Sequence, residues 1–319
     1  MIGNMLLFMN YIKRYKKAEN MFLLRLNRSM CVGVALAFAL VSQGYAQLMM
    51  YSAEQRIEFT SAWEGERFPD GRPKVPDSIL KRMKTVSAEE AWGTIYRSGG
   101  YRDHFEGDWK EFNSSPDRMV GRVVTALFLP TRPDVRAVVD AQGKAEERSG
   151  TGHNSWVIDT LQPGDVLVVD MSGYNFLGDR LATAIFAKSQ NGIVIEGGLR
   201  DLSGIQEIEG FKGYVRTFHP SAITRGGVRN TMLMGMNVPI RIGDTTVMPG
   251  DIVLGDPEGL MFIPPQLAEK VVDTAEDVQR RDKWSHLMLE QGTYTPGQLD
   301  TTWTEDIEAD FDRWVEHRK

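Results

Sequence analysis

The chain has 319 residues, 42% hydrophobic and 25% charged, a globular composition that excludes a disordered, fibrous or membrane-embedded class. Its formal net charge is −6 and its body carries no long Lys/Arg run, so the phosphate neutralisation that dominates nucleic-acid binding has no footprint. Nucleic acid is not an expected partner.

Arg25 and Arg28 precede an apolar run from Met30 to Val41, which Ser42, Gln43, Gly44, Tyr45, Ala46 and Gln47 follow. This charged, apolar, small-residue order predicts a secretory signal cleaved after Ala46, the alternative being an N-terminal anchor helix. At about a dozen residues the run falls short of the about 20 that a bilayer requires. A start at Met21 would account for the residues ahead of it. Residues 1–46 are therefore assigned to a signal region, and the mature protein is expected to be periplasmic or secreted, with no stable membrane span. The single cysteine, Cys31, falls in that run, which removes disulfides, thiol nucleophiles and thiolate metal sites from the mature chain.

From Gln47 to about Pro76 the sequence lacks periodicity and is rich in turn formers, densest at Phe68, Pro69, Asp70, Gly71, Arg72 and Pro73. We read 47–77 as an arm lying over the domain or over a neighbouring subunit. A helix is predicted from Asp77, with Ile79, Leu80 and Met83 at helical spacing, and another after Ser87, where Glu90 completes a capping-box signature. Met119–Leu129 and Asp165–Met171 read as strands, Asp179–Ser189 as a helix and Gly192–Glu196 as a strand, which together predict a parallel βαβ unit. Val238–Ile242, Ile252–Leu254 and Leu260–Ile263 read as further strands. A long helix is expected from Pro265 to about Glu290 with Leu267, Val271, Val272, Ala275 and Val278 on one stripe. The acidic tail, 291–319, reads as a docking extension. Pro163, Gly164, Asp165 and Pro249, Gly250, Asp251 mark two turns, too short a match to argue for a repeat.

Chemistry points to two segments. Gly197, Gly198, Leu199, Arg200 and Asp201 follow a strand, where the glycines admit a ligand and the cation and anion stand side by side; by itself the string reads as a charged turn. Leu177, Gly178, Asp179, Arg180 and Leu181 open the intervening helix, whose free amides can hold an anion, although Asp179 could simply cap it. A right-handed crossover places both on one edge of the sheet.

The run from Gly164 to Asp201 resembles the RraA-like family, and the similarity continues through Val238, Pro239, Ile240 and the Pro249, Gly250, Asp251, Gly255, Asp256, Gly259 block to Pro264. That family includes 4-hydroxy-4-methyl-2-oxoglutarate / 4-carboxy-4-hydroxy-2-oxoadipate aldolases and a branch of ribonuclease-activity regulators. The resemblance implies an α/β fold of the swivelling β/β/α type over 78–290, with N-terminal helices and a C-terminal helical extension, assembled as a homotrimer or dimer of trimers. It implies a lyase dependent on Mg²⁺ or Mn²⁺ that acts on a 4-hydroxy-2-oxo acid or related sugar acid, releasing pyruvate through an enolate, or that decarboxylates oxaloacetate. In these terms Asp201 would bind the metal, Arg200 would contact the 2-oxo oxygen, the amides of Gly178, Asp179, Arg180 and Leu181 would hold the substrate carboxylate, and Asp179 would fix water. Glu276 is the candidate for a carboxylate that reaches the neighbouring subunit's site. The other reading is a non-catalytic binding or regulatory protein.

Where family members often carry an Ala-Arg-Gly segment, this chain reads Arg216, Thr217, Phe218, His219, Pro220, so its specificity is expected to differ. His219 reads as structural or as a proton donor, and His104 and His153 are no better placed. Lys188 and Lys212 are expected in polar surroundings, which argues against a Schiff base. Motifs for zinc peptidases, serine hydrolases and dinucleotide binding are absent.

Overall fold

In a computed structural model of the chain, the described residues are 51–317 apart from 103, 114–116, 149, 151 and 222–229. The segment read as a signal, residues 1–46 with Cys31, lies outside them. The architecture is mixed α/β, and among the described residues no helix is long and apolar enough to cross a membrane.

Ahead of the sheet lie α1 (Ala53–Phe59), α2 (Asp77–Met83) and α3 (Ala88–Tyr96). Helix α3 starts where Ser87 and Glu90 form the expected reciprocal capping box. Helix α1 falls in the stretch read as an irregular arm; Ser52 and Gln55 cap it in the same way, a signal that so short a helix hides. The strands are β1 (Phe105–Glu106), β2 (Lys110–Phe112), β3 (Met119–Pro130), β4 (Asp165–Leu177), β5 (Ile193–Leu199), β6 (Gly213–Phe218), β7 (Thr231–Met236), β8 (Ile240–Ile242), β9 (Thr245–Val247), β10 (Ile252–Asp256) and β11 (Gly259–Ile263). Between them run α4 (Pro133–Ala145), α5 (His153–Ile158), α6 (Asp179–Ser189) and α7 (Leu202–Gln206), and a 3-10 turn at Pro265–Leu267 leads into α8 (Ala268–Glu290).

Nine strands form one sheet in the order β1-β11-β10-β3-β4-β5-β6-β2, with β7 also paired to β3. β3, β4, β5 and β6 run parallel to one another, which confirms the expected βαβ unit at β4, α6 and β5. The edges are antiparallel. β3 pairs with β10 through residues 119–122 and with β7 through 126–130, so one long strand serves two partners in succession. One sheet face buries Leu167, Val169, Ile193 and Ile195 against Trp156, Ile185 and Ile205 of the helices. The other buries Val166, Val168 and Val194 against Ile240, Ile242 and Val247 of the β8–β9 hairpin. Burial on both faces explains why these parallel strands read as continuous apolar runs. Helix α8 covers the edge with Val271, Val272 and Ala275, beside α2 and α3.

Beyond α8, the acidic tail forms α9 (Pro296–Leu299) and α10 (Glu305–Glu316). These fold back on α8 through an aromatic cluster of Trp284, Trp303 and Phe311, with Arg281 stacked 4.7 Å from the Trp303 ring and paired to Glu308 at 3.0 Å.

The two Pro-Gly-Asp turns are the same device. Gly164 (φ 86°) and Gly250 (φ 91°) take the left-handed position that follows proline in a type II turn. Each aspartate then accepts the amide three residues back: Gln162 donates to Asp165 at 2.9 Å and Met248 to Asp251 at 2.8 Å. The arm lies across both. The Arg72 guanidinium, 1% exposed, reaches the fully buried Asp165 at 3.1 Å and Asp70 at 2.8 Å. Pro73 packs so closely on Gly250 that a Cβ there would lie 2.5 Å from its ring. Arg122 fastens the arm further, donating to the Val75 carbonyl at 2.8 Å.

Two stability predictions follow from these turns. Arg72→Leu strands the Asp165 charge without its counterion, which costs about 3–5 kcal/mol and lowers the urea midpoint accordingly; an unchanged midpoint would show that the pair does not matter. Asp251 is buried, with no ion-pair partner among the described residues, and burial pushes its carboxyl up to about 7. Because this folded value lies above that of the unfolded chain, its contribution is intact below about pH 4 and is lost as pH rises towards 7. Asp251→Asn should gain stability relative to the parent across that window, by an amount on the order of a few kcal/mol. The check is the parent-to-variant difference in unfolding free energy at pH 4, 5.5 and 8; a constant difference would refute it.

Candidate active site

The site is assembled where β4 and β5 end. β4 leaves its ladder after Asp170, turns through Ser172 (φ 50°) and Gly173 (φ 82°), and rejoins β5 at Asn175 opposite Gly198. Ser172 and Gly173 are turn residues inside an apolar run, the kind of signal that marks a bulge. β5 is longer than expected: Gly197 and Gly198, read as a loop, continue the strand to Leu199, because β4 and β6 pair with Gly198 and Leu199 from both sides across an irregularity at Gly197. Neither position has room for a side chain, since a Cβ on Gly198 would lie 2.5 Å from Asn175 Oδ1 and one on Gly197 2.5 Å from the Tyr174 carbonyl.

At the strand ends the Arg200 amide donates to the Leu177 carbonyl at 3.1 Å, which ties the second segment to the first. Gly178, the N-cap of α6, lies directly beneath the charged pair: a Cβ there would be 2.3 Å from Asp201 Oδ2 and 2.9 Å from Arg200 Cζ. The two segments that the sequence singles out therefore touch. Asp201 takes the left-handed region (φ 58°) at the start of α7 but makes no capping bond; its carboxylate meets the Arg200 guanidinium instead. Both side chains are 36% exposed. A pair so open to water contributes about 0–1 kcal/mol and can be parted at little cost.

Asp179 begins α6, accepts the Arg180 amide at 2.7 Å, and rests against Gly204 of α7, whose Cβ would lie 3.1 Å from its Oδ2. One of the amides expected to hold a substrate carboxylate is thus engaged with Asp179, while the remaining first-turn amides keep the unpaired character of a helix start. Arg180 projects into solvent and Leu181 packs partly against the core.

His219 stands beside this loop. Its amide donates to the Leu199 carbonyl at 3.1 Å, and its ring Nδ1 accepts the Ser221 amide at 3.1 Å, a contact that leaves the proton of the neutral ring on Nε2. The buried amide of Asn175 donates to the carbonyls of His219 at 2.7 Å and Ser221 at 3.2 Å. Asn175 escaped the sequence reading because a lone polar residue in a strand carries no motif. Arg216 belongs elsewhere: it stacks 3.7 Å from the Trp109 ring and pairs with Glu196 at 3.1 Å.

The other candidates are not brought to this cluster within the chain. Arg82 engages both oxygens of Glu276 at 2.7 Å, which holds that carboxyl below its usual range. His153 bridges Asp140 and the Leu233 amide, and burial lowers its pKa; His104 braces the Phe262 carbonyl. Lys212 donates to the Asp117 carbonyl with Lys84 and Glu111 nearby, partial burial pushes its pKa down, and it precedes β6 and so lies at the opposite strand ends from Arg200. Asp170, half-buried at the β4 exit, is raised by burial and accepts the Ser172 amide at 3.0 Å. Among the described residues, no three His, Cys, Asp or Glu side chains gather as a ready-made metal cage.

Comparison with known proteins places this arrangement. A 4-hydroxy-4-methyl-2-oxoglutarate aldolase from Thermus thermophilus is 27% identical over 151 residues, 46% of this chain and 76% of that protein. A protein of Halalkalibacterium halodurans that carries the same name provisionally is 30% identical over 124 residues, 38% of this chain and 56% of its own, so the match spans little more than half of that relative. Among solved structures, an uncharacterized Pseudomonas syringae protein aligns over 75% of this chain and all of its own, with a TM-score of 0.59 and 21% identity. A Streptomyces coelicolor member of the RraA family of RNase ES inhibitors aligns over 67% of this chain and 98% of its own, with a TM-score of 0.53 and 24% identity, likenesses that speak for the fold. The RraA-like pattern described as Aldolase/RraA matches residues 85–262, more than half of the chain and the whole of the cluster just described. The chain belongs to the Aldolase/RraA family.

Proposed function

We propose that this protein is a carbon–carbon lyase acting on a 4-hydroxy-2-oxo acid or related sugar acid, and that the Gly178–Leu181 and Arg200–Asp201 cluster is its active site. The observation that carries the reading is the direct packing of Arg200 and Asp201 on the Gly178 helix start, which sets a fixed cation, an open carboxylate and helix amides around one point. The relatives named as aldolases support the reaction class.

The chemistry fits these parts. When the bond between C3 and C4 breaks, its electron pair moves towards the carbonyl and negative charge collects on the 2-oxo oxygen. Arg200 is a permanent cation suited to that oxygen, and such a donor acts most strongly where charge develops. The α6 amides orient the substrate carboxylate at the positive end of the helix. Asp179 holds water that carries the proton from the 4-hydroxyl, and C3 is protonated as pyruvate leaves. Loss of carbon dioxide from oxaloacetate produces the same enolate.

The donor set suits Mg²⁺ or Mn²⁺. Asp201 is a hard oxygen ligand free of any capping role, and the Cβ-less Gly178 keeps the space beside its Oδ2 open. An ion of this kind retains several waters and needs few protein ligands. Once bound, it would supply Lewis-acid polarisation of the 2-oxo group. The half-open setting of Arg200 and Asp201 leaves one side of the site for a neighbouring subunit, which accords with a homotrimer or dimer of trimers and gives Glu276 its proposed place. The segment ending at Ala46 would direct the chain out of the cytoplasm.

A pyruvate-release assay over 4-hydroxy-2-oxo acids and oxaloacetate, with and without Mg²⁺ or Mn²⁺, tests the proposal. Release stimulated by metal is expected; none from any substrate would favour the non-catalytic reading. Arg200→Ala should lower kcat by about 10²–10³ with a smaller change in KM, as for loss of an oxyanion donor. Asp201→Asn should abolish the response to metal. Gly178→Ala, whose backbone (φ −123°, ψ −168°) accepts alanine, should fold normally yet lose activity because its methyl displaces the charged pair. Full activity in any of the three would overturn the assignment.

A further inference from the structure

Away from this site, a cavity of about 240 Å³ lies between the start of α3 and the β10–β11 turn, lined by Ala88, Glu89, Trp92, Phe105 and Glu258. We propose that it binds a small organic cation bearing a quaternary or alkylated ammonium group.

The walls are mainly apolar, with the exposed Glu89 and Glu258 also bordering the cavity. Trp92 is 45% exposed and Phe105 37%, unusual for rings of this size in a chain whose other large apolar groups are mostly buried. Tyr96 stacks on Trp92 with ring centroids 4.9 Å apart and planes 13° off parallel, so one Trp92 face is covered and the ring is held in place. The Phe105 ring is seated against Gly259, where a Cβ would come within 3.1 Å of it. Two aromatic rings thus border the cavity, and ring faces attract cations.

The carboxylates select the sign of the guest. Glu89 and Glu258 both line the cavity, and among the described residues neither side chain has a hydrogen-bond or ion-pair partner. The neighbouring acid is different: Asp256 accepts the Ala88 amide at 2.8 Å and the Glu258 amide at 2.9 Å, with Arg118 3.6 Å away. Asp256 together with the Ser87–Glu90 capping box therefore already answers the positive end of α3, and the nearby cation is balanced. What remains uncompensated is negative charge beside aromatic faces. Anionic guests are disfavoured by the two glutamates. A neutral apolar guest would leave them idle. The volume is below that of ordinary drug-sized pockets, which restricts the guest to a group the size of trimethylammonium with a short tail.

The test titrates the full chain with choline and with its neutral isostere 3,3-dimethylbutan-1-ol, following binding by calorimetry and by amide and indole NMR shifts. Choline is expected to bind at least about tenfold more tightly than the isostere, with shifts confined to the Trp92 and Phe105 region. Trp92→Leu should weaken binding at least about fivefold, and Glu89→Gln with Glu258→Gln should erase the preference for the charged guest. Glu258→Gln alone lies in a surface turn and serves as the variant that keeps the fold intact. Equal binding of both compounds would reduce the cavity to a nonspecific apolar groove and overturn the proposal. Failure of choline to bind would do the same. So would sedimentation showing that Trp92→Leu dissociates an oligomer, since the face would then be covered by another copy.

Discussion

The buried ion pair between Arg72 and Asp165 fixes the start of β4, and every functional group of the site depends on where β4 ends. A strand buried on both faces is held in register by its ladders, and a slip of one residue would exchange its two faces. Asp165 sits at the first position of that ladder with its charge neutralised by a residue from the arm. Twelve and thirteen positions later the chain delivers Leu177 and Gly178, onto which the end of β5 is tied. Desolvating two charges is expensive, so such a pair is better understood as a device of position than as a source of net stability.

Much of the fold is legible in the sequence because its signals are local or strongly periodic. The Ser87–Glu90 box, the stripe of α8 and the Asp179–Ser189 helix are written within single elements, and the structure reproduces them. What escaped reading depends on partners distant in sequence. Gly197 and Gly198 look like a loop until β4 and β6 are seen to pair with Gly198 and Leu199, and helix α4 has too mixed a pattern to announce itself. The expected meeting of the Gly178 and Arg200 segments follows from the handedness of the crossover, a rule of topology rather than of composition. Its closeness does not: that a methyl on Gly178 has no room beside Asp201 is visible only in three dimensions. Asn175 and the Ser172–Gly173 excursion were likewise silent, since each owes its role to carbonyls and strands elsewhere.

The family pattern covers residues 85–262, whereas the arm, α8 and the helices α9 and α10 lie outside it. These additions are built by different physics from the central sheet. The tail makes its own aromatic cluster around Trp284, roofed by Arg281, and needs little from the domain beneath. The arm does the reverse: it has almost no core of its own and is held by arginines that reach buried carbonyls and carboxylates.

Arg72 and Pro73 are adjacent in the chain and press on the two equivalent Pro-Gly-Asp turns with opposite effect. The guanidinium gives Asp165 a counterion, while the proline ring lies on Gly250, next in the chain to Asp251, and brings no charge. Two copies of one local motif thus become electrically unlike through the accident of which neighbour covers each. The two turns lie side by side on either flank of Arg122 in β3, one charged and one inclined to hold a proton, so the same ten or so residues of the arm tie the protein's integrity to the acidity of wherever it works.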